Sequence, residues 1–258
     1  HPETVSRRAR LLFQLTMSMA LTTAKHVVSI SEAARRDLLA RFKLPPERVT
    51  TTPLAAEARF RPQEPEEIAR VRALYALPQE MVLFVGINKP HKNLLRLIEA
   101  FGRLLAEGSS ASLVLAGPWD ERYPEAKAAV AALGAGERVR LLGPVADADL
   151  PALYAAAAVF VLPSQYEGFG LPVLEAMACG TAVACSNTSS LPEIAGDAAL
   201  TFDPFDVDAI AAALRRLLAD RDLRAALVQA GFAQAARFSW AKTAAQTLAV
   251  YRRVAQSA

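Results

Sequence analysis

Cysteine is scarce in this chain: Cys179 and Cys185 are the only two among 258 residues. They flank an apolar run and could close only a short loop, and no zinc-type spacing is present, so a disulfide scaffold or structural zinc site is excluded and a reduced, cytoplasmic setting is expected. Charge of one sign is also missing. Lys plus Arg number 29 against 26 Asp plus Glu, a net +3. The arginines scatter along helical patterns (Arg7, Arg8, Arg35, Arg36, Arg215, Arg216), as on solvated helix faces, which argues against nucleic acid as a partner. Long apolar runs are absent too. The windows 11–20 and 153–162 fall short of the roughly 20 residues needed to span a bilayer, which leaves only peripheral membrane contact. No signal peptide is read at the polar N-terminus. No Gly-x-Gly-x-x-Gly follows the early strands and no P-loop lysine motif occurs, which counts against nicotinamide and P-loop enzymes.

What the chain does have is 53% apolar residues arranged as short runs alternating with helical patterns. That pattern predicts an α/β fold, a parallel sheet with helices on both faces. The clearest strands are 81–85, 112–116, 139–142, 159–162 and 181–184, each ending at Gly, Pro or Ser. Their continuous apolar character fits burial on both faces. Between them the spacing of Leu94, Leu95, Leu97, Ile98, Phe101, Leu104 and Leu105 predicts a helix with a core-facing apolar face. The first fifty residues read differently: a helix over 6–22, a strand over 26–30, a helix from Ser31 and a short strand at 49–51. A Pro-containing linker follows around 53–65. After Thr201 the pattern is almost wholly helical.

In open parallel sheets ligands bind beyond the carboxyl ends of the strands, and three loops stand there. The first, Gly86-Ile87-Asn88-Lys89-Pro90-His91-Lys92-Asn93, precedes a long helix. Its lysines would meet an anion already favoured by the helix N-terminus; a solvated turn with Asn93 as N-cap fits the same residues. The second, Ser164-Gln165-Tyr166-Glu167-Gly168-Phe169-Gly170-Leu171-Pro172, leads into a helix carrying Glu175. Its glycines let a ligand approach the backbone, and two carboxylates can accept bonds from vicinal hydroxyls, as in sugars and ribose. Glu175 is the polar exception on an otherwise apolar helix. The third, Gly143-Pro144-Val145, could lie flat against a base or be a simple turn. Asp147-Ala-Asp149 and Asp206-Val-Asp208 match a metal-holding pattern, but each stands just before a helix and reads as capping; no metal site is expected.

Together these loops resemble the donor-binding domain of retaining glycosyltransferases of family 4, which have the two-domain GT-B fold. The motif is Glu167-Gly-Phe-Gly-Leu-Pro-Val-Leu-Glu175, with Ala176-Met-Ala-Cys-Gly180, Pro192-Glu193-Ile194, the Lys89–Asn93 loop and Phe238-Ser239-Trp240 around it. The resemblance implies a Rossmann-like C-terminal domain at 54–237, a remnant of the N-terminal acceptor domain at 1–53, and a last helix at 238–258 packing back toward it. It implies that Glu167 and Lys92 are catalytic, Glu167 holding a sugar hydroxyl and Lys92 neutralising the departing diphosphate. Donor contacts would come from Gly86, Lys89, Lys92, Asn93, Val145, Ser164, Glu167, Gly168, Phe169, Gly170, Leu171 and Glu175. Among these, Glu175 would bind ribose and Val145 the base. The family places an arginine at the start of the first loop where this chain has Ile87, so Lys89 is the expected second phosphate contact. The family's catalytic-site histidine would lie upstream of His1, which suggests a fragment; none of His1, His26 and His91 takes that role.

The expected activity is hexosyl transfer from a nucleoside-diphosphate sugar, GDP-mannose first and UDP-sugars next, to a glycan or lipid-linked acceptor. No cofactor is expected, and the expected location is the cytoplasm, with contact at the inner face of the membrane. A non-catalytic nucleotide-sugar-binding module and a nucleotide-sugar epimerase are the alternatives. Apolar surface near residues 11–30 predicts self-association.

Overall fold

The computed structural model describes residues 7–256, and the chain divides into two compact units: residues up to Ala55 with those from Phe238 on, and Ala56–Arg237. The first unit contains α1 (Arg7–Thr23), β1 (Val27–Ser29), α2 (Glu32–Phe42), β2 (Val49–Thr51) and the last helix, Trp240–Gln256. β1 and β2 pair in parallel, and α2 is capped by Ser31, whose hydroxyl accepts from the Ala34 amide at 3.0 Å. A small core of Leu21, Leu44 and Val49 is flanked by Met17, Val27, Leu38, Leu39 and Phe42. The last helix is tied to this unit by Thr243 Oγ1 donating to the Pro53 carbonyl at 2.6 Å and Arg253 donating to Thr50 Oγ1 at 2.9 Å. Trp240, the first residue of the last helix, is exposed.

The second unit runs α3 (Pro65–Leu74), β3 (Met81–Val85), α4 (Leu94–Ala106), β4 (Ser112–Ala116), α5 (Glu125–Leu133), β5 (Val139–Gly143), α6 (Leu150–Ala156), β6 (Val159–Leu162), α7 (Leu171–Ala178), β7 (Ala182–Ser186), α8 (Leu191–Ala195), β8 (Ala199–Phe202), α9 (Val207–Ala219) and α10 (Arg221–Ala235). Among the described residues its strands form a six-stranded sheet of order β5-β4-β3-β6-β7-β8, parallel at every pairing. The central strands are sealed: Met81 to Phe84 and Val159 to Leu162 are essentially inaccessible. Each fully buried side chain of this size contributes roughly 1.5–3 kcal/mol. α4 lays Leu94, Leu97, Ile98, Phe101 and Leu104 into this core, whereas Leu95 is exposed and Leu105 only half-buried, because they fall to the sides of that stripe.

The sheet differs from the sequence expectation at its far edge. β8 is a strand that the pattern hides, since only Phe202 of its residues is buried and no alternation marks it. β7 runs Ala182–Ser186 rather than 181–184; Thr181 instead turns its hydroxyl to the Tyr154 carbonyl at 2.7 Å.

The carboxyl ends of β3 and β4 approach very closely. Gly117, at φ +129°, has no side chain for a reason: a Cβ there would stand 2.3 Å from the Gly86 carbonyl oxygen. The approach is held by the Gly86 amide donating to the Ala116 carbonyl at 2.9 Å. Gly117→Ala is therefore expected to cost about 3 kcal/mol in urea unfolding, from backbone strain plus overpacking. Gly108→Ala, at φ +90° in open space, should cost only about 1 kcal/mol. Equal losses would contradict the close-approach account.

Candidate active site

The strand order reverses between β3 and β6. The chain builds outward through β4 and β5 on one side and through β7 and β8 on the other, so the crevice above the β3–β6 pair is the topological switch point where ligands bind in such sheets. The two loops that rise from it are those singled out by sequence, 86–93 and 163–170. They are stitched together by backbone: the Gln165 amide donates to the His91 carbonyl at 2.8 Å. Asn93 completes the seam. Buried and left-handed at φ 62°, it donates through Nδ2 to the carbonyls of Pro163 and Pro204 at 3.0 and 2.7 Å. Its Oδ1 accepts from Arg96 at 3.0 Å and from Gln165 at 3.3 Å. It stands at the N-cap position of α4, as the sequence suggests, but makes no side-chain cap bond there, because its side chain is spent on bridging the loops. Its amide is committed to the loops themselves.

Lys92 and Glu167 meet at the centre. Lys92 Nζ lies 2.6 Å from Glu167 Oε1, with the side chains only 14% and 13% exposed, so solvent screening of the pair is weak. The same Oε1 accepts from the buried Ser164 hydroxyl at 2.6 Å, and the Glu167 amide donates to Ser189 Oγ at 2.9 Å. Ser190 Oγ donates to the carbonyls of Glu167 and Phe169 at 2.9 and 2.7 Å. Neither Ser189 nor Ser190 was visible as a site residue from the sequence, because both belong to the β7–α8 segment and reach the loop only through tertiary packing. Phe169 is buried and Gly168 half-buried. Gly170, at φ +111°, opens α7, and a Cβ there would strike Leu191 at 2.7 Å. Leu171 is the first helical residue. The N-terminus of α7 thus follows directly from the Glu167 loop, as that of α4 follows from the Lys92 loop, and both favour an anion. Gly86 packs beside the lysine: a Cβ would come within 3.9 Å of Lys92 Cε.

The other predicted residues have surroundings of their own. Lys89 is exposed and lies on the side of Asp120, whose carboxyl is held at about 2 chiefly by Arg122, with Lys89 contributing. Asn88, unremarked in the sequence, fastens that side: it donates to the carbonyls of Asp120 and Tyr123 and accepts from the Asp120 amide at 2.6 Å. Val145 is half-buried in the β5–α6 loop. Glu175 faces α6, accepting from the Tyr154 hydroxyl at 2.9 Å. Burial pushes its pKa up against the lowering effect of that bond and of Arg59. Burial also lowers His91, assisted by Lys92 and opposed by Glu167.

Of the two Asp-x-Asp stretches, Asp206 caps α9 through the amides of Asp208 and Ala209. Asp149 does not cap α6. It pairs with Arg70 and accepts from Tyr75 at 2.8 Å, partners 70 or more residues away that no local pattern signals. Among the described residues no group of three or more His, Cys, Asp and Glu side chains is placed to hold a metal ion, and no helix is long and apolar enough to cross a membrane.

The sequence profile of the glycosyl transferases group 1 matches residues 66–234, most of the second unit. The chain belongs to this family. It is 41% identical over 238 residues to the O-antigen chain mannosyltransferase B of Escherichia coli, aligning 90% of this chain with 62% of that protein. It is 35% identical over 233 residues to the MMP alpha-(1->4)-mannosyltransferase of Mycolicibacterium hassiacum, aligning 88% of this chain with 54% of that one. The chain therefore spans between about half and two thirds of the length of these two relatives. Among solved structures, the sucrose-phosphate synthase of Thermosynechococcus elongatus superposes with a TM-score of 0.83 at 27% identity, over all of this chain and 64% of that one.

The raised pKa of Glu175 has a stability consequence. Folding holds its proton more tightly than the unfolded chain does, so its favourable contribution is complete below about 4.5 and is lost as pH rises through the folded-state value. Glu175→Gln, which keeps an acceptor for Tyr154, is expected to raise the thermal midpoint at pH 7–8, with the gain vanishing near pH 4. Calorimetric melts across that range check it.

Proposed function

We propose that this chain supplies the donor-binding part of a retaining hexosyltransferase of family 4, with Glu167 and Glu175 as its paired glutamates. The donor is a nucleoside-diphosphate hexose, GDP-mannose in the first place and a UDP-sugar as the alternative, and the acceptor is a glycan or lipid-linked glycan. The observation that carries the reading is the Lys92–Glu167 pair standing in the switch-point crevice between two helix N-termini. Mannose is favoured because the relatives named above are mannosyltransferases.

In this reading the diphosphate sits over the N-terminus of α7 and draws on Lys92, whose three donors can serve a phosphate oxygen and Glu167 together. Charge grows on that phosphate as the bond to the sugar C1 loosens, and a preorganised ammonium stabilises it more in the transition state than in the ground state. Glu167, fixed by Ser164 and by its own amide bond to Ser189, accepts from a sugar hydroxyl and orients the ring. Gly86, Gly168, Phe169, Gly170 and Leu171 line the approach with backbone, Asn93 keeps the loops in register, and Lys89 makes a second, more exposed phosphate contact. Val145 and Glu175 take base and ribose. No metal is required, because a lysine and helix termini meet the charge. The expected place of action is the cytoplasm at the inner face of the membrane.

Calorimetric titration with GDP and UDP tests this directly. GDP is expected to bind more tightly than UDP, and Lys92→Met should weaken both about 10- to 100-fold, the size of one charge-assisted contact. Glu167→Gln should leave GDP affinity within about threefold but remove the extra affinity of GDP-mannose over GDP. A Lys92→Met protein that binds as well as the wild type would sink the assignment.

Self-association belongs to the same proposal. Leu11, Leu12, Phe13, Leu15 and Met19 of α1 are more than half exposed, an apolar face that water disfavours. Light scattering at rising concentration should show growth in mass; a clean monomer removes the idea.

A further inference from the structure

Arg59 lies outside every motif from which the site was read, yet it joins the two elements assigned to the nucleoside. It stands in the linker ahead of α3. Its Nη1 donates to the Asp147 carbonyl at 2.9 Å, two residues beyond Val145 in the β5–α6 loop. Its Nη2 donates to Glu57 Oε1 at 3.2 Å, and its guanidinium carbon rests 5.1 Å from the centre of the Phe60 ring. Phe60 is buried and meets Tyr154 edge-on at 6.0 Å, and Tyr154 donates to Glu175 Oε2 at 2.9 Å. One planar cation, lying over a buried ring, therefore grips the base-side loop and favours the ionised form of the ribose-side acid.

We propose that Arg59 is a positioning residue for the nucleoside half of the donor, holding the Val145 loop by its Asp147 carbonyl and setting a positive charge beside the Glu175 carboxylate. The inference rests on the assignment of Glu175 to ribose. An ionised carboxylate is acceptor-only and can take bonds from two hydroxyls, whereas a protonated one spends part of that capacity as a donor. The groups facing Glu175 are Tyr154 from α6, Arg59 and Glu57 from the linker, and Cys179 one turn further along α7. Glu57 opposes the ionised form and Arg59 favours it. Cys179 stays neutral, its thiol pushed up to about 12 by burial. Arg59 is thus the nearby cation that offsets burial and Glu57. Lysine would restore the charge but not the stacked fork, so the two roles separate by substitution.

The test is calorimetric titration of the whole chain with GDP, UDP and inorganic pyrophosphate between pH 6 and 8. Arg59→Met is expected to bind both nucleotides about 10-fold more weakly at pH 8. It should lose further affinity toward pH 6, more steeply than the wild type, while its pyrophosphate affinity stays within about twofold. Arg59→Lys should be weaker than the wild type but keep the wild-type pH slope. If Arg59→Met fails to fold, the Lys variant still decides, since wild-type nucleotide affinity there would overturn the loop-holding role. Arg59→Met proteins with wild-type affinity, a wild-type pH slope or an equal loss of pyrophosphate would each overturn the proposal. Glu175→Gln separates the premise: unchanged GDP and UDP binding there removes the ribose assignment. Weakened binding in Glu175→Gln beside normal binding in Arg59→Met removes the Arg59 role alone.

Discussion

The contact between Lys92 and Glu167 is the interaction on which the rest depends. The two residues are 75 positions apart and come together because β3 and β6, the strands before them, are neighbours in the sheet although β4 and β5 intervene in sequence. A parallel sheet that reverses its order must leave a crevice at the reversal, and here each wall of the crevice is a loop leading into a helix N-terminus. An opposite pair at 2.6 Å with little exposure persists only where further hydrogen bonds offset desolvation. Ser164 bonds the carboxylate and Ser189 fixes the loop that carries it. In the proposed reading the cost of burying that pair is what makes it useful, because the charges would be held in advance for a ligand that carries both phosphate and hydroxyls.

Around that centre the structure spends polar groups on rigidity. Asn93 ties the Lys92 loop to the Glu167 loop, Asn88 ties it to the β4 loop, and Ser190 braces the Glu167 turn from behind. Gly117 permits the β3 and β4 ends to touch at all. A site of the proposed kind, which would recognise a charged leaving group, gains most when its donors need no rearrangement, and this network holds the loops in place.

Much of this was legible in the residues themselves. Strands such as Met81–Val85 and Val159–Leu162 announce themselves because both faces are buried and every position is apolar. The Lys89–Asn93 and Glu167–Glu175 stretches carry polar and charged groups that packing alone would not call for. What escaped was set by distance in sequence. Asp149 looks like a cap but is claimed by Arg70 and Tyr75. β8 is an edge strand with one buried residue. Ser189, Ser190 and Arg59 acquire meaning only when loops far apart in the chain are brought side by side. Local pattern encodes periodicity and turns, and these contacts have neither.

The central claim is that one crevice, over β3 and β6, takes an activated sugar by its diphosphate and hydroxyls. Hydrogen–deuterium exchange with and without saturating GDP tests it most directly. The account predicts joint protection of residues 86–93, 143–147 and 163–175, with the amino ends of the strands unchanged. Protection confined to other segments, or none at all in those three loops, would contradict it.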